Sequence, residues 1–252
     1  MRIQLLRHAT FLLSIGDKQL LVDPMLAKAH SMPPVEHSAN QLANPLTELP
    51  ITIKDWSFLD GLLVTHTHRD HFDAAAAKEL PKNIPLFCQP ADVQILEGYG
   101  FQKVRPVHDS LQWEGILITR TSGRHGTGDI GTKMGTVSGY VLKTPNEPSF
   151  YVTGDTIWCQ EVSDALAFHQ PRITVAFAGA AQFLEGGPIT MDAKDLVSLC
   201  QAAPYSQLIA IHMEAFNHCL LKRSQLADFL EKHRLLDRVT IPDNGETLVW
   251  EA

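Results

Sequence analysis

The run Thr65-His66-Thr67-His68-Arg69-Asp70-His71 carries four metal-competent side chains within six positions. Neutral imidazole nitrogens and carboxylate oxygens are the donors that divalent zinc, manganese or iron takes, at roughly 2.0–2.2 Å. The apolar segment GLLVT precedes the run and FDAAAAKEL follows it. The run therefore belongs to a loop between a buried strand and a helix. Such a loop can turn His66 and His68 one way and Asp70 and His71 another, which suits two adjacent metals better than one. The plain alternative is a histidine-rich surface turn with no ligand duty. Three distant residues weigh against it: His125, Asp155 and His212 end or follow expected strands in TRTSGRH, YVTGD and IAIH. Ligands at the strand ends of an α/β protein share one rim, where sites are usually built.

The elements that must position these residues alternate along the chain. Residues 2–23 predict short strands in IQLL, ATFLLSI and QLLVDP, with a turn at Gly16-Asp17. Residues 27–56 hold four prolines and little periodicity, which predicts an excursion over one face, as a lid would be. Strands near PLFC and KVRPV flank a helix over 91–97. GILITRT and TVSGYVLKT are expected as strands around a glycine-rich loop, SGRHGTGDIGTKMG. A strand over 149–153 follows. Helices over 161–168, 192–201 and 224–234 then alternate with strands in ITVAFAG and QLIAI. The closing VTIP-DNGE-TLVWE carries Asn244-Gly245 and predicts a tight hairpin. No repeat or linker interrupts the chain, so one α/β domain over 1–252 is expected, with two mixed sheets and helices outside them.

The HxHxDH run, the histidine of a glycine-rich loop, the aspartate of Gly154-Asp155 and a late histidine after a strand together resemble the metallo-β-lactamase superfamily. The resemblance spans nearly the whole chain. HATFLLSIGDKQLLVDP at 8–24 is similar, more narrowly, to the branch of the L-ascorbate-6-phosphate lactonases and the N-acylphosphatidylethanolamine phospholipase D relatives. The resemblance implies a four-layer αββα sandwich. It implies that His66, His68 and His125 hold a first metal, that Asp70, His71 and His212 hold a second, and that Asp155 bridges the two. Zinc is the first expectation, with manganese or iron as alternatives. The implied chemistry is hydrolysis: a bridging hydroxide attacks a carbonyl or phosphoryl centre, with Asp70, beside His71, orienting the nucleophile. With hydroxide bound the site keeps a charge of about +1, which favours small anionic substrates such as a phosphorylated lactone or a phosphodiester.

Other residues carry weaker expectations. His8 and Asp23 lie close to the metals in the resembling branch, and Asp23 could accept the outer N–H of a metal-bound histidine. Ordinary turn and core duty is the alternative for both. His218 could touch substrate, as could His30 and His37 in the proline-rich excursion. Thr127, Gly128 and Lys133 flank His125; Lys133 could bind an anion, although a solvated lysine serves as well. His108, His169 and His233 read as surface residues, and Cys159 and Cys219 as small hydrophobes.

Composition removes several function classes. The net charge of −7 argues against a dedicated nucleic-acid binder. No stretch approaches the roughly 18 apolar residues of a membrane span. Arg7 and His8 interrupt the apolar N-terminus, and no small-residue cleavage site follows. Four scattered cysteines without a CxxC fit a reduced, cytoplasmic protein. A homo-oligomer is expected only by analogy with the lactonases. Three rival functions stay open: a nuclease of the same superfamily, a mononuclear-iron oxidative enzyme and a non-catalytic metal-binding protein.

Overall fold

β1 (Arg2–Arg7), β2 (Thr10–Ile15) and β3 (Lys18–Val22) form an antiparallel meander. Phe11, Leu13 and Ile15 enter one buried core while Leu12 packs toward another. This is the period of two that a pleated strand imposes. β4 (Gly61–Val64), β5 (Leu86–Cys88) and β6 (Val104–Pro106) add in parallel to β3. Parallel neighbours need crossovers, and α1 (Ala74–Glu79) and α2 (Val93–Gly98) supply two of them. The Asp73 side chain caps α1 by accepting from the Ala76 N–H. The computed structural model describes residues 1–51, 53 and 55–250.

The second sheet repeats this division. β7 (Ser110–Trp113), β8 (Ile116–Ser122), β9 (Ser138–Lys143) and β10 (Phe150–Val152) are antiparallel, and β11 (Ile173–Phe177), β12 (Gln207–Ile211) and β13 (Val239–Thr240) continue in parallel. Three helices, α4 (Gln160–His169), α5 (Ala193–Ala202) and α6 (Arg223–Lys232), pack on its outer face through Leu166, Leu196, Leu199, Leu226 and Leu230. Phe11, Leu63 and Phe87 of the first sheet meet Tyr140, Val152 and Phe177 of the second in the central core. Each large apolar side chain buried there contributes roughly 1.5–3 kcal/mol. Two mixed sheets face each other with helices outside both, the expected αββα arrangement. Among the described residues no helix is long and apolar enough to cross a membrane.

Two local expectations need correction. The glycine-rich loop contains a short helix, numbered α3 among the helices (Gly128–Met134). Asp129 in its first turn and Lys133 in its last complement the helix dipole. Gly131 is required there because a Cβ would meet Gly126 O at 2.7 Å. The closing segments do not form a hairpin. β13 pairs with β12 in one sheet, and β14 (Thr247–Val249) pairs with β1 in the other. Pro242 offers no N–H to a ladder, and its carbonyl accepts from Arg223 Nε at 2.8 Å. Asn244 Oδ1 accepts from the same guanidinium at 2.9 Å. The Gly245 N–H donates to Leu5 O of β1 at 2.6 Å. The turn is therefore held open across the sandwich.

Candidate metal centre

Every expected ligand lies just past a strand or in the loop that follows it. Asp23 follows β3, His66 follows β4 by two residues, and His125 lies beyond β8. Asp155 comes after β10, and His212 directly after β12. His8 occupies the turn between β1 and β2. Three of these residues hold left-handed backbone, with φ of 61° at His8, 43° at Asp23 and 73° at His212. Such conformations cost on the order of 1–3 kcal/mol each and persist where surrounding structure fixes them. Gly154 shares the feature at φ 66°, and a Cβ there would collide with Ser138 O, so only glycine can deliver Asp155 to its place.

The donor atoms converge in two groups. In the first, His66 Nε2 lies 3.0 Å from His68 Nδ1, and His125 Nε2 lies 3.3 Å from the same atom. In the second, His71 Nε2 and His212 Nε2 are 3.1 Å apart, with Asp70 Oδ2 3.7 and 3.6 Å from them. His8 Nε2 lies 3.3 Å from Asp70 Oδ2 and completes this cluster. Asp155 stands between the groups. Its Oδ2 is 3.2 Å from His71 Nε2, 3.6 Å from His125 Nε2 and 3.9 Å from His66 Nε2. Its buried Oδ1 lies 3.1 Å from His212 Nε2 but is too poorly aligned for a hydrogen bond. Two ligands at 2.0–2.1 Å in tetrahedral geometry stand about 3.3–3.4 Å apart. The ring nitrogens face one another at nearly that separation, and the Asp155 oxygen lacks the partner a buried carboxylate requires. The residues present therefore fit divalent metal.

The outward nitrogens have their own partners. His71 Nδ1 meets Asp23 Oδ2 at 2.8 Å, and Asp23 also accepts from Thr65 N–H and Thr65 Oγ1, each at 2.7 Å. His125 Nδ1 meets Ile189 O at 2.8 Å. His66 Nδ1 lies 3.2 Å from Thr65 Oγ1, and His212 Nδ1 lies 3.7 Å from Cys219 Sγ. Such partners fix the tautomer and aim the inner nitrogen.

Charge divides unevenly. Burial, with His71 and His68 alongside, holds His66 well below its ordinary value. Burial also lowers His125, so both imidazoles are neutral donors at pH 7. Burial alone would raise Asp70, but His71, His212 and His8 around it hold it well below the carboxylate range. Asp155 is held low against burial by His212 and His71. Burial opposes charge on His71 and His212, yet the carboxylates win. His71 is pushed well up by Asp155, Asp70 and Asp23, and His212 up to about 10, chiefly by Asp155.

A cleft of about 480 Å³ opens over this centre. His68, Asp70, His125 and Asp155 form its floor. Pro33, Pro34, Val35 and His37 of the proline-rich excursion line it from above, and Met134, Phe183 and Ile189 line a side. A second cavity of about 460 Å³ shares His37, Met134 and Phe183 and continues past Ile130 and Leu184.

Comparison with known proteins decides the family. The model of the beta-lactamase superfamily domain matches residues 18–213. The chain belongs to the beta-lactamase superfamily. As a member it is 38% identical to the UPF0173 protein YddR of Bacillus subtilis, over 99% of this chain and 100% of that one. It is 27% identical to a UPF0173 metal-dependent hydrolase of Koribacter versatilis, over 92% of each chain. Its fold matches the crystal structure of isothiocyanate hydrolase from Delia radicum gut bacteria with a TM-score of 0.95, at 33% identity over 100% of both chains. A possible metal-dependent hydrolase from Veillonella parvula gives 0.95, at 32% identity over 98% of each. The chain is a metal-dependent hydrolase of this superfamily.

The seven ligand candidates of this superfamily member, from His66 to His212, come together, as do His8 and Asp23. His218 lines the cleft, with a buried Nδ1 that has no hydrogen-bond partner, and burial lowers it to about 4. His37 reaches the cleft. His30 is exposed and meets Ala43 O instead. Lys133 borders the neighbouring cavity, while His108 and His233 are exposed. Sequence reasoning missed Ile189, which acts through its backbone carbonyl, and Thr65 and Asn217, whose residue types carry no metal signal. It also missed Met134 and Phe183, which proximity to His125 and to the late loop could have suggested.

Proposed function

We propose that this hydrolase cleaves a small organic electrophile bearing an apolar group, with an isothiocyanate as the leading class. The observation that carries this reading is the contrast within one cleft. Four of the metal-competent side chains, His68, Asp70, His125 and Asp155, form its base, while Pro33, Pro34, Val35, Met134, Phe183 and Ile189 give its roof and side a largely apolar lining beside Glu36 and His37. The full-length similarity to an isothiocyanate hydrolase supports the same class. His66, His68 and His125 would hold one divalent ion, Asp70, His71 and His212 a second, and Asp155 both; zinc is the first choice. When bound, the ions would polarise the substrate and bring the pKa of water down to about 7.

The chain's own residues do the rest. The apolar walls take the organic group and exclude bulk water. Asp70, held ionised and facing the cleft, takes a proton from the attacking water and passes it toward the leaving nitrogen. The reaction balances as R–N=C=S plus water giving R–NH2 and carbonyl sulfide: a C–O bond forms, the C–N bond breaks, and both water protons end on nitrogen. The reading takes small molecules as substrates, in keeping with the net charge of −7.

A second reading is a phosphorylated lactone or phosphodiester. Arg69, which lines the cleft beside Asp70, favours it. One experiment separates the two. Protein purified without added metal is analysed for metal, then offered an aryl-alkyl isothiocyanate, a phosphorylated sugar lactone and a phosphodiester. Near two divalent ions per chain with amine released from the isothiocyanate is the expected result. Turnover of the phosphorylated compounds alone would replace the first reading with the second. One iron per chain without hydrolysis would overturn both.

A further inference from the structure

Residues 27–50 cross above the metal cleft with little regular structure of their own beyond one bridge between Met32 and Asn44. A stretch of this length without secondary structure needs an external anchor to keep one shape. The anchor is a side chain from the opposite wall. Asn217, 1% exposed, lies in the loop between His212 and His218. Its Oδ1 accepts from the Val35 N–H at 2.9 Å and from Asn44 Nδ2 at 2.8 Å. Its Nδ2 donates to Ser38 Oγ at 2.6 Å, to Asn40 O at 2.9 Å and, more weakly, to Val35 O at 3.2 Å. Its backbone N–H donates to Asn44 Oδ1 at 2.9 Å, and its carbonyl accepts from Asn40 Nδ2 at 3.0 Å. The Val35 N–H can meet only an acceptor, which fixes the oxygen end of the amide. Four excursion residues thus converge on one side chain, and Val35 itself lines the cleft.

We propose that Asn217 is a positioning residue that sets the roof of the cleft and thereby which organic groups fit beneath it. It couples the roof to the loop that carries His212 and His218 without touching the metal ligands' donor atoms. The substrate part of this inference rests on the isothiocyanate reading; the structural part does not.

The test is Asn217→Asp in the metal-loaded, full-length protein. The change keeps the shape but turns the donating nitrogen into an oxygen facing the carbonyls of Asn40 and Val35. Backbone amide exchange over 33–44 should accelerate about tenfold or more, as expected when a buried hydrogen-bond hub is lost. Metal content should stay at the wild-type value. KM for a phenyl-bearing isothiocyanate should rise about tenfold, with kcat within about twofold. Ser38→Ala removes one acceptor of the Asn217 amide, together with the hydroxyl's own bonds to Val35 O and Asn40 O, and leaves the rest of the Asn217 hub in place. It should move the same readouts in the same direction by less, and it decides the matter if Asn217→Asp does not fold. Wild-type exchange rates over 33–44 in the variants would overturn the proposal. So would loss of metal or a fall in kcat at unchanged KM, because either would make Asn217 a support of the metal loop instead. A wild-type protein inert toward isothiocyanates sinks the substrate reading alone, since exchange still judges Asn217.

Discussion

The two halves of the metal centre use the same residue types under opposite electrical conditions. His66, His68 and His125 form a group of imidazoles without a carboxylate of its own, with Thr65 Oγ1 and Ile189 O behind His66 and His125. His68 lines the open cleft. Asp70, His71 and His212 form a more deeply buried group that adds a carboxylate within it and Asp23 behind it. An ion held by three imidazole nitrogens would keep more of its charge to act on water or substrate. An ion in the second group would be largely neutralised and anchored. In the two-ion reading the electrophilic role falls to the group that opens His68 and His125 to the cleft, and the anchoring role to the group that reaches it through Asp70 alone.

Among the described residues Asp155 is the one carboxylate that approaches histidines of both groups, so removing it breaks the contrast altogether. Asp155→Ala should lose metal from both sides and cut turnover by about 10³-fold or more, the equivalent of several kcal/mol of charge stabilisation. Metal analysis and kcat/KM on one preparation check this, and a fully active variant would end the two-group description. Asp23→Asn acts on one side only. It should weaken ion affinity in the second group by about 10–100-fold and spare the first, leaving near one ion per chain after mild chelation. Equal loss from both groups would mean that Asp23 supports the rim as a whole. The groups should also differ in proton release. His71 and His212 are raised and so are protonated at pH 7 in the metal-free protein, whereas His66 and His125 are lowered and neutral. Filling the second group at pH 7 should therefore expel about two protons, whereas His66 and His125 of the first group have none to release. Release should fall as pH rises through about 10, where His212 deprotonates unaided. Calorimetry in buffers of different ionisation enthalpy measures it.

The convergence of the ligand candidates and the layered fold were legible because both rest on local pattern. HTHRDH is contiguous, and Val22, Val64, Val152 and Ile211 end apolar runs whose next residues must leave the sheets at one edge. The anchoring of the roof and the pairing of the closing strands were not legible, because both depend on distant partners. The Asn244-Gly245 pair signals a hairpin locally, yet Arg223 and the β1 backbone claim its neighbours, and that competition has no signature near residue 244. The convergence of Val35, Ser38, Asn40 and Asn44 on a residue more than 170 positions away leaves no periodicity to read. α3 was hidden by its glycines, which lower helix propensity by about 1 kcal/mol each while permitting the close approach to Gly126.

The smallest effect sharpens the contrast inside the second group itself. His71 is backed by an ionised-type acceptor at 2.8 Å, whereas His212 is backed by a thiol sulfur at 3.7 Å. A sulfur is a weak hydrogen-bond partner, so Cys219 should contribute little to aiming His212. That aim is set instead by the left-handed backbone at φ 73° and by close packing against His8, whose tilted ring has its centroid 3.7 Å away. Cys219→Ser keeps the size class and offers a better partner at a longer reach. It should change second-group ion affinity by less than about threefold, well under the 10–100-fold expected for a carboxylate partner. If Cys219→Ser cost as much as Asp23→Asn, backbone and packing would not be what holds His212. The strength of the outer partner would then cease to explain why the two histidines of this group are supported so differently.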